Sequence, residues 1–260
     1  MSFADRIADI CRNVSGEFGV SARHIVSGDQ VVLDEHKVFP SASVIKVPLM
    51  VEVMCQRDEG RLSLDETFRL REVDRVSGSG VLHSLSEGLA LTLRDLTVLM
   101  IIVSDNTATN LVIDRLGMDS VNERMRGLGL KTITLARKMY DWEQQKLGRE
   151  NLITPHDMTL LLARIAEGAV SSRSTSEEML DIMARQQYRD KIPLLLPENT
   201  KVANKTGSIP RVMNDAGVVF APSGAYAICV CAREVDDMPR AERAVAEISR
   251  AVYDHFEGLS

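Results

Sequence analysis

The strongest constraint on the fold is a change in hydrophobic period near the C-terminus, where strand patterns replace helical ones. Three consecutive strands with turn residues between them are predicted from "KVANKTG", "MNDAGVVFAP" and "GAYAICVCAR". Two more strands are predicted near the N-terminus from "GEFGVSARHIV" and "QVVLDE", joined by the turn "SGD". Between these two groups the apolar residues follow helical spacing. This order predicts an antiparallel sheet assembled from both ends of the chain.

Helices are predicted before, between and after these strands. The first fourteen residues form an amphipathic pattern, and the closing helix has one apolar stripe, which consists of Ala241, Val245, Ile248, Val252 and Phe256. Further helices are predicted at 43–56, 92–103, 107–117, 118–129 and 154–168. The helix at 92–103 is too apolar for a surface position, whereas residues 57–91 and 131–153 lack a regular period.

The predicted fold class is therefore α+β, with an antiparallel β-sheet flanked by N- and C-terminal helices and an inserted all-helical lobe. We expect one domain over residues 1–260, with an α/β lobe (about 1–40 and 190–260) and a helical lobe (about 41–189). A cleft between two such lobes is a common position for a small-molecule site.

Charge and hydropathy exclude several classes of partner. A net charge of −6 disfavours a nucleic-acid partner, and no run of 18 apolar residues predicts a membrane span. The N-terminal segment lacks a basic start followed by an apolar run, so it does not resemble a secretory signal. As the sequence stands we expect a cytoplasmic protein, or a periplasmic or secreted one if a leader was removed.

The four cysteines predict neither a disulfide framework nor a zinc site. Cys229 and Cys231 are two residues apart and point to the same face of a strand, while Cys11 and Cys55 lie singly in helical patterns. We therefore expect free, mostly buried thiols. No metal-ligand spacing or phosphate-binding glycine loop is present, so no cofactor is predicted.

A serine and a lysine with catalytic spacing stand where the helix at 43–56 begins, in "SVIK". Roughly one S-x-x-K is expected by chance in a chain of this length, so alone it would indicate two ordinary helix residues. The chemistry is nevertheless suitable, because a serine nucleophile needs a base within hydrogen-bond reach and Lys46 lies one turn from Ser43. Lys46 could act as that base only when neutral, which requires burial and a neighbouring cation such as Lys205.

Two further motifs follow, "SDN" at Ser104–Asn106 and "KTG" at Lys205–Gly207, with 61 residues from Ser43 to Ser104 and 101 from Ser104 to Lys205. S-x-x-K, S-D-N and K-T-G in this order are the signature of class A β-lactamases and penicillin-binding proteins. The chain resembles this serine superfamily, and its class A β-lactamase-like branch most closely. "SDNTATN" and "TPHDM" also resemble class A segments.

The resemblance spans most of the chain and implies a metal-independent serine hydrolase that opens a β-lactam through a Ser43 acyl-enzyme. The substrate would be a small β-lactam or related amide or ester that carries a carboxylate, with no nucleic acid or membrane involved. Two alternatives stay open on the same scaffold. One is an esterase, amidase or D-amino-acid peptidase, and the other is a slowly deacylating penicillin-binding or sensor module.

The resemblance also implies roles for the motif residues. Ser104 would relay a proton to the leaving nitrogen, Asn106 would hold the acyl side chain, and Lys205 would orient Ser104 and attract a substrate carboxylate. The Thr206 and Ser208 hydroxyls could contact the same carboxylate.

The strand that follows Gly207 is expected to complete the site. Its Ser208 N–H would pair with the N–H of Ser43 as an oxyanion hole. Arg211 is a candidate carboxylate clamp, or else a solvated turn arginine.

The residue that activates the deacylating water is ambiguous. Class A enzymes carry a Glu in the loop before the "TP" helix, which here reads "LARKMYDWEQQKLGRENLITP". The local "WE" places Glu143 in the role but leaves the loop short. Pairing Arg137 with Asn151 as the brackets of the loop keeps its length but places Met139 there. The acidic candidates are Glu143, Asp141 and Glu150, unless these acids only form a solvated loop face.

Overall fold

The structure is a computed structural model that describes residues 3–259. Its helices are α1 (Phe3–Arg12), α2 (Lys46–Asp58), α3 (Leu93–Ile102), α4 (Asn106–Leu116), α5 (Met118–Gly127), α6 (Trp142–Lys146), α7 (Pro155–Ala166), α8 (Arg173–Ala184) and α9 (Met238–Phe256). Its strands are β1 (Glu17–His24), β2 (Gln30–Leu33), β3 (Phe39–Pro40), β4 (Thr67–Arg69), β5 (Ala90–Thr92), β6 (Leu152–Ile153), β7 (Lys201–Ile209), β8 (Val212–Ala221) and β9 (Gly224–Arg233).

The main sheet joins the two ends of the chain. Its five strands have the order β2-β1-β9-β8-β7, and every neighbouring pair is antiparallel. Strand β1 pairs with β9 from Glu17–Arg233 to His24–Tyr226. The predicted α+β fold, with a sheet built from both ends and helices between, is confirmed.

The alternation of side chains along β9 separates two hydrophobic clusters on the two faces of the sheet. Ile228 and Val230 point towards α1 and α9, whereas Cys229 and Cys231 point into the larger cluster with α2, α3, α4 and α7. All four cysteines are unpaired, as predicted, and Cys11 alone among them is only partly buried.

The longest helix, α9, closes the fold. Its 19 residues bury the predicted stripe against the sheet, and Phe256 packs at the end of that stripe. Within residues 3–259, no helix is both long enough and apolar enough to cross a membrane.

Two helices form where no periodic pattern predicted them. Helix α8 begins in the polar stretch "SSRSTSEE", where the Ser172 hydroxyl accepts from Thr175 N, and it buries Met179, Ile182 and Met183 in its second half. Helix α8 packs on β7 and α3. These tertiary contacts stabilise a helix that the periodicity of the sequence did not predict. The short α6 begins at Trp142 inside the segment expected to be irregular.

The helix predicted from Ser43 begins as a tight 3-10 turn over Ala42–Ile45, and α-helical geometry starts at Lys46. Pro48 is the third residue of α2. It fits there because the first-turn N–H groups of a helix have no intrahelical acceptor. Residues Lys46 to Gln56 are all buried, so α2 is the central helix of the helical region.

Strand β7 passes very close to this 3-10 turn. A Cβ atom at Gly207 would lie 2.8 Å from Ser43 N, 2.9 Å from Val44 N and 3.0 Å from Ser41 O. All three are backbone atoms, so no side-chain rotation could relieve the contact. Glycine is therefore the residue that lets the "KTG" strand approach the "SVIK" turn.

We expect Gly207→Ala to separate β7 from the turn. Overpacking of this kind costs about 1–3 kcal/mol of unfolding free energy, measurable by urea denaturation. Labelling of Ser43 by a fluorophosphonate probe should slow by roughly tenfold or more, because displacements of about 1 Å impair reactive geometry. The matched control is Gly127→Ala at the end of α5, where an added Cβ meets nothing within 4 Å. Equal effects of the two substitutions would contradict the close-approach argument.

Candidate active site

The first two motifs meet at the buried amine of Lys46. Lys46 Nζ donates to Ser104 O at 2.8 Å, to Ser104 Oγ at 3.0 Å and to Asn106 Oδ1 at 2.9 Å. An ammonium has three N–H groups, so protonated Lys46 is saturated by these three acceptors. Loss of one proton would release a lone pair, through which the amine could act as a base.

The hydroxyl of Ser104 lies between two lysines. Its Oγ also accepts from Lys205 Nζ at 3.1 Å, and Lys205 donates a second bond to Thr206 O at 2.6 Å. Because both lysines donate to this oxygen, its own hydrogen remains available to a third group. The backbone of Ser104 has a φ of +54°, a strained value for a non-glycine residue, which presents its carbonyl and hydroxyl to Lys46 together.

Burial makes Lys46 suitable as a base. Its side chain is fully buried, and desolvation, followed by the positive charge of Lys205, lowers its pKa well below the ordinary value, against the opposing influence of Asp105. A lowered lysine pKa increases the neutral fraction near pH 7. The conditions that sequence analysis set for a lysine base are therefore present.

The pKa of Lys205 is also lowered by burial. Desolvation lowers the pKa of Lys205 to about 7, with Asp215 opposing the shift and Lys191 adding to it. Asp215 is itself fully buried, and desolvation raises its pKa to about 6. It accepts from Asn204 Nδ2 at 3.0 and 3.1 Å and from Ile192 N at 3.0 Å. The negative charge of Asp215 partly offsets the positive charge of the buried Lys205.

Asp105 and Asn106 shape the loop at the start of α4. Asp105 caps the helix by accepting from Ala108 N at 2.8 Å, and its other oxygen accepts from Val81 N and Leu82 N at 2.6 and 2.8 Å. Asn106 donates one Nδ2 proton to Ser77 O at 3.0 Å. Its second Nδ2 proton remains available for a substrate carbonyl.

Ser43 borders two cavities. The larger has a volume of about 510 Å³ and is lined by Ala42, Ser43, Gly78, Ser79, Asn106, Arg137, Met139, Tyr140, Trp142, Glu150, Asn151, Ser208, Ile209 and Pro210. The smaller has about 290 Å³ and is lined by Ser43, Ser79, Ser104, Tyr188, Asp190, Lys191, Thr206, Ser208 and Glu242. Ser43 thus lies between the larger cavity, which Asn106 lines, and the smaller cavity, which Ser104 lines.

Lys191 is a site residue that sequence analysis missed. Its nearly buried Nζ lies 3.1 Å from Asp190 Oδ1 and 3.4 Å from Glu242 Oε2, at the wall of the smaller cavity. It belongs to no motif and stands in a segment without a regular period. No sequence signal distinguishes it from a surface lysine.

Arg211, the predicted carboxylate clamp, lies elsewhere. Its guanidinium bonds Asp236 Oδ1 at 2.8 Å and Glu234 O at 3.3 Å, and it lines neither cavity. It lies in the tight turn between β7 and β8 with a φ of +63°, and its side chain is 61% exposed. The structure therefore favours the solvated-turn alternative.

The loop before α7 places Met139 at the cavity wall. Asn110 fixes it there, because its side chain accepts from Met139 N at 2.8 Å and donates to Met139 O at 3.1 Å. The loop is closed by Asn151, whose Oδ1 accepts from Ala136 N and Arg137 N. This arrangement agrees with the alternative that pairs Arg137 with Asn151.

The structure does not bring Glu143 to the cavity. Its side chain is 80% exposed and bonds Lys146 at 2.9 Å on the outer side of α6. Asp141 caps α6, where its Oδ1 accepts from Gln144 N at 3.1 Å. Neither residue lines the space around Ser43.

Glu150 lines the larger cavity, but its oxygens are already engaged. Oε1 accepts from Arg137 at 2.8 and 2.9 Å and from Asn151 N at 2.8 Å, while Oε2 accepts from Gln145 Nε2 at 2.7 Å. A carboxylate with four donors braces the loop and is poorly placed to take a proton from water. Within residues 3–259 there is also no group of three or more His, Cys, Asp or Glu arranged to hold a metal ion.

Comparisons with known proteins agree with this geometry. Residues 2–256 match the model of the Beta-lactamase enzyme family. A β-lactamase from Streptomyces albus G is 27% identical over 258 residues, which cover 95% of this chain and 82% of that protein.

Two solved structures share the whole fold. A β-lactamase from Sphaerobacter thermophilus superposes with a TM-score of 0.91 at 33% identity, covering 99% of this chain and 98% of that one. A mutant of PBP-A, solved as an acyl-enzyme complex with penicillin G, gives a TM-score of 0.90 at 30% identity, covering 99% and 96%. The motifs, the fold and the family match lead to one conclusion: this chain belongs to the Beta-lactamase enzyme family.

Proposed function

We propose that this protein is a serine hydrolase in which Ser43 Oγ attacks the carbonyl carbon of a β-lactam, or of a related amide or ester, and becomes acylated. The observation that carries the proposal is Ser104 Oγ, which lies between Lys46 and Lys205 at the edge of the smaller of the two cavities that Ser43 lines. This geometry supports roles for Ser43 as nucleophile, for Lys46 with its lowered pKa as base and for Ser104 as proton relay.

In the first step neutral Lys46 accepts the hydroxyl proton of Ser43 as the new Oγ–C bond forms. The carbonyl oxygen becomes an oxyanion, and the N–H groups of Ser43 and Ser208 are the proposed donors to it. The close approach of β7 at Gly207 supports this pairing, because it holds the two backbones together.

Collapse of the tetrahedral intermediate breaks the carbonyl–nitrogen bond. The leaving nitrogen takes the Ser104 hydroxyl proton, and Ser104 recovers a proton from Lys46, which received one from Ser43. Protons therefore balance over the acylation half-reaction, and no metal ion is required. Because Ser104 lies on the side of the smaller cavity, we assign that cavity to the leaving group.

A substrate carboxylate would be bound in the smaller cavity by the hydroxyls of Thr206 and Ser208 together with Lys191. Asp190 and Glu242 occupy two of the three N–H groups of Lys191, which leaves one for a ligand. This role replaces the one that the sequence suggested for Arg211.

Deacylation needs a second base, because water must be activated on the other side of the acyl group. Met139 stands at the cavity wall, Glu143 is exposed, and Glu150 is occupied by Arg137 and its neighbours. We therefore propose slow deacylation, which favours a penicillin-binding module or a peptidase-like enzyme as the second candidate function.

Ser43→Ala should abolish covalent labelling by a fluorescent penicillin, because no other side chain occupies the nucleophile position. Lys46→Ala should slow labelling by about a hundredfold or more, since general-base catalysis contributes on that scale. Lys146→Ala, on the exposed face of α6, is the control and should label normally. Normal labelling of the Ser43 variant would overturn the mechanism.

Lys191→Gln should lower kcat/KM for acylation by a penicillin by roughly tenfold or more relative to the methyl ester of that penicillin. One charge-assisted hydrogen bond to a carboxylate is worth about 1.5–3 kcal/mol. Arg211→Gln serves as the comparison and should leave the ratio between acid and ester unchanged. A reversed pattern, with Arg211 sensitive and Lys191 silent, would restore the clamp inferred from sequence.

The acyl-enzyme formed with penicillin G should persist for minutes in intact-protein mass spectrometry, and Glu143→Gln should not prolong it. Met139→Glu should shorten its lifetime by at least about tenfold, because it places a carboxylate at the cavity wall near the acyl group. Rapid turnover by the unmodified protein, together with trapping in Glu143→Gln or Glu150→Gln, would show that the loop already supplies a base.

A further inference from the structure

The larger cavity has an aromatic outer wall that the acylation chemistry does not require. Tyr140 and Trp142 line it with their rings 5.2 Å apart at an angle of 64°, an edge-to-face arrangement. Their side chains remain 44% and 42% exposed. Trp142 is the single tryptophan of the chain, and aromatic residues make up only 4% of it. An exposed aromatic pair beside the nucleophile is therefore a distinctive feature of this molecule.

Tyr140 combines a strained backbone with a ring that contacts the opposite loop. Its φ is +62°, a region that bulky residues rarely adopt. The ring lies against the opposite loop at Gly78, where an added Cβ would be 2.6 Å from Tyr140 Cε2 and from its hydroxyl oxygen. Tyr140 thus spans the cavity from one loop to the other. Strain that persists at such a position is typical of ligand-binding segments.

Arg137 contacts the ring of Trp142 in addition to Tyr140. The guanidinium carbon of Arg137 lies 5.8 Å from the centroid of its ring, and Arg137 is itself held by Glu150. Because Arg137 already restricts the Trp142 ring, that ring should lose little conformational freedom when a ligand contacts its exposed part.

The remaining lining suits an uncharged, flat group. Met139, Ile209 and Pro210 add apolar surface, and the charged side chains among the lining residues are Arg137 and Glu150, which pair with each other. At the inner end, Asn106 has one free N–H for a carbonyl. An amide carbonyl at Asn106 followed by an aromatic ring against the outer wall would use both features.

We propose that Tyr140 and Trp142 form an aromatic subsite that selects substrates whose acyl part ends in an aryl group on a short amide linker. This inference rests on the proposed function for the position of the acyl group. It extends that function by naming the class of acyl group that this chain prefers.

The test compares three penicillanates that differ only in the 6-acylamino group, which is phenylacetyl, cyclohexylacetyl or acetyl. We expect the phenylacetyl compound to acylate Ser43 about three- to tenfold faster than its cyclohexyl counterpart, because aromatic pairs add attraction beyond buried area. The acetyl compound should be slowest. Equal rates for the phenyl and cyclohexyl compounds would overturn the aromatic character of the subsite.

Substitutions of Trp142 and Tyr140 test whether their rings cause the preference for the phenylacetyl compound. Trp142→Leu should bring the phenyl-to-cyclohexyl ratio near one, and Tyr140→Asn, in which the new asparagine tolerates a positive φ, should do the same. Tyr140→Phe keeps the ring and should retain the ratio. Leu147→Ala is the control in the same loop, since Leu147 is 71% exposed and lines neither cavity. A ratio that survives both ring deletions would overturn the assignment.

A binding measurement separates this inference from the proposed chemistry. In Ser43→Ala the fluorescence of the single tryptophan should change saturably on titration with the phenylacetyl compound and far less with the acetyl compound. This response together with absent acylation of the unmodified protein would refute the proposed function and support the subsite. Acylation without any fluorescence response would support the function and overturn the subsite.

Discussion

The site depends on the burial of two lysine side chains against one serine hydroxyl. Lys46 and Lys205 both donate to Ser104 Oγ, and neither side chain is accessible to water. Placing two cations together in a low-dielectric interior is unfavourable, so their pKa values fall and a neutral amine becomes available. The same arrangement that destabilises the protonated state therefore generates the proposed base.

The fold supplies the partners that make this burial tolerable. Asp105 braces the loop before α4, and Asp215, paired with Thr206 on the neighbouring strand β8, opposes the fall in the pKa of Lys205. Strand β7 carries Lys205, and helix α2 carries Lys46, so the sheet and the helical region each contribute one cation. Gly207 allows these two parts to touch. The main sheet thus holds Lys205 on β7 close to the turn that leads into α2 and Lys46.

The two sides of Ser43 differ in character. The smaller cavity is polar and charged, with Lys191 between two acids, whereas the larger is walled by Met139 and the rings of Tyr140 and Trp142. In the proposed mechanism, acylation uses the buried lysines that the motifs encode. Acyl-group selection and deacylation are assigned to the loop between Arg137 and Asn151, where the chain departs from the class A pattern.

The sequence alone determined the α+β class, the strand pairs with strong alternation, and the motif residues that the structure assembles around Ser104. These follow from local periodicity and from residue types at fixed spacing, which do not depend on distant contacts. Helix α8, the position of Lys191 and the outward direction of Glu143 and Arg211 were decided by tertiary structure. Helix α8 is stabilised by packing on β7, and each of the three side chains points where its turn or helix face directs it. Spacing along a chain cannot report the direction of a side chain in a loop, because that direction is set by the surfaces between which the loop is packed.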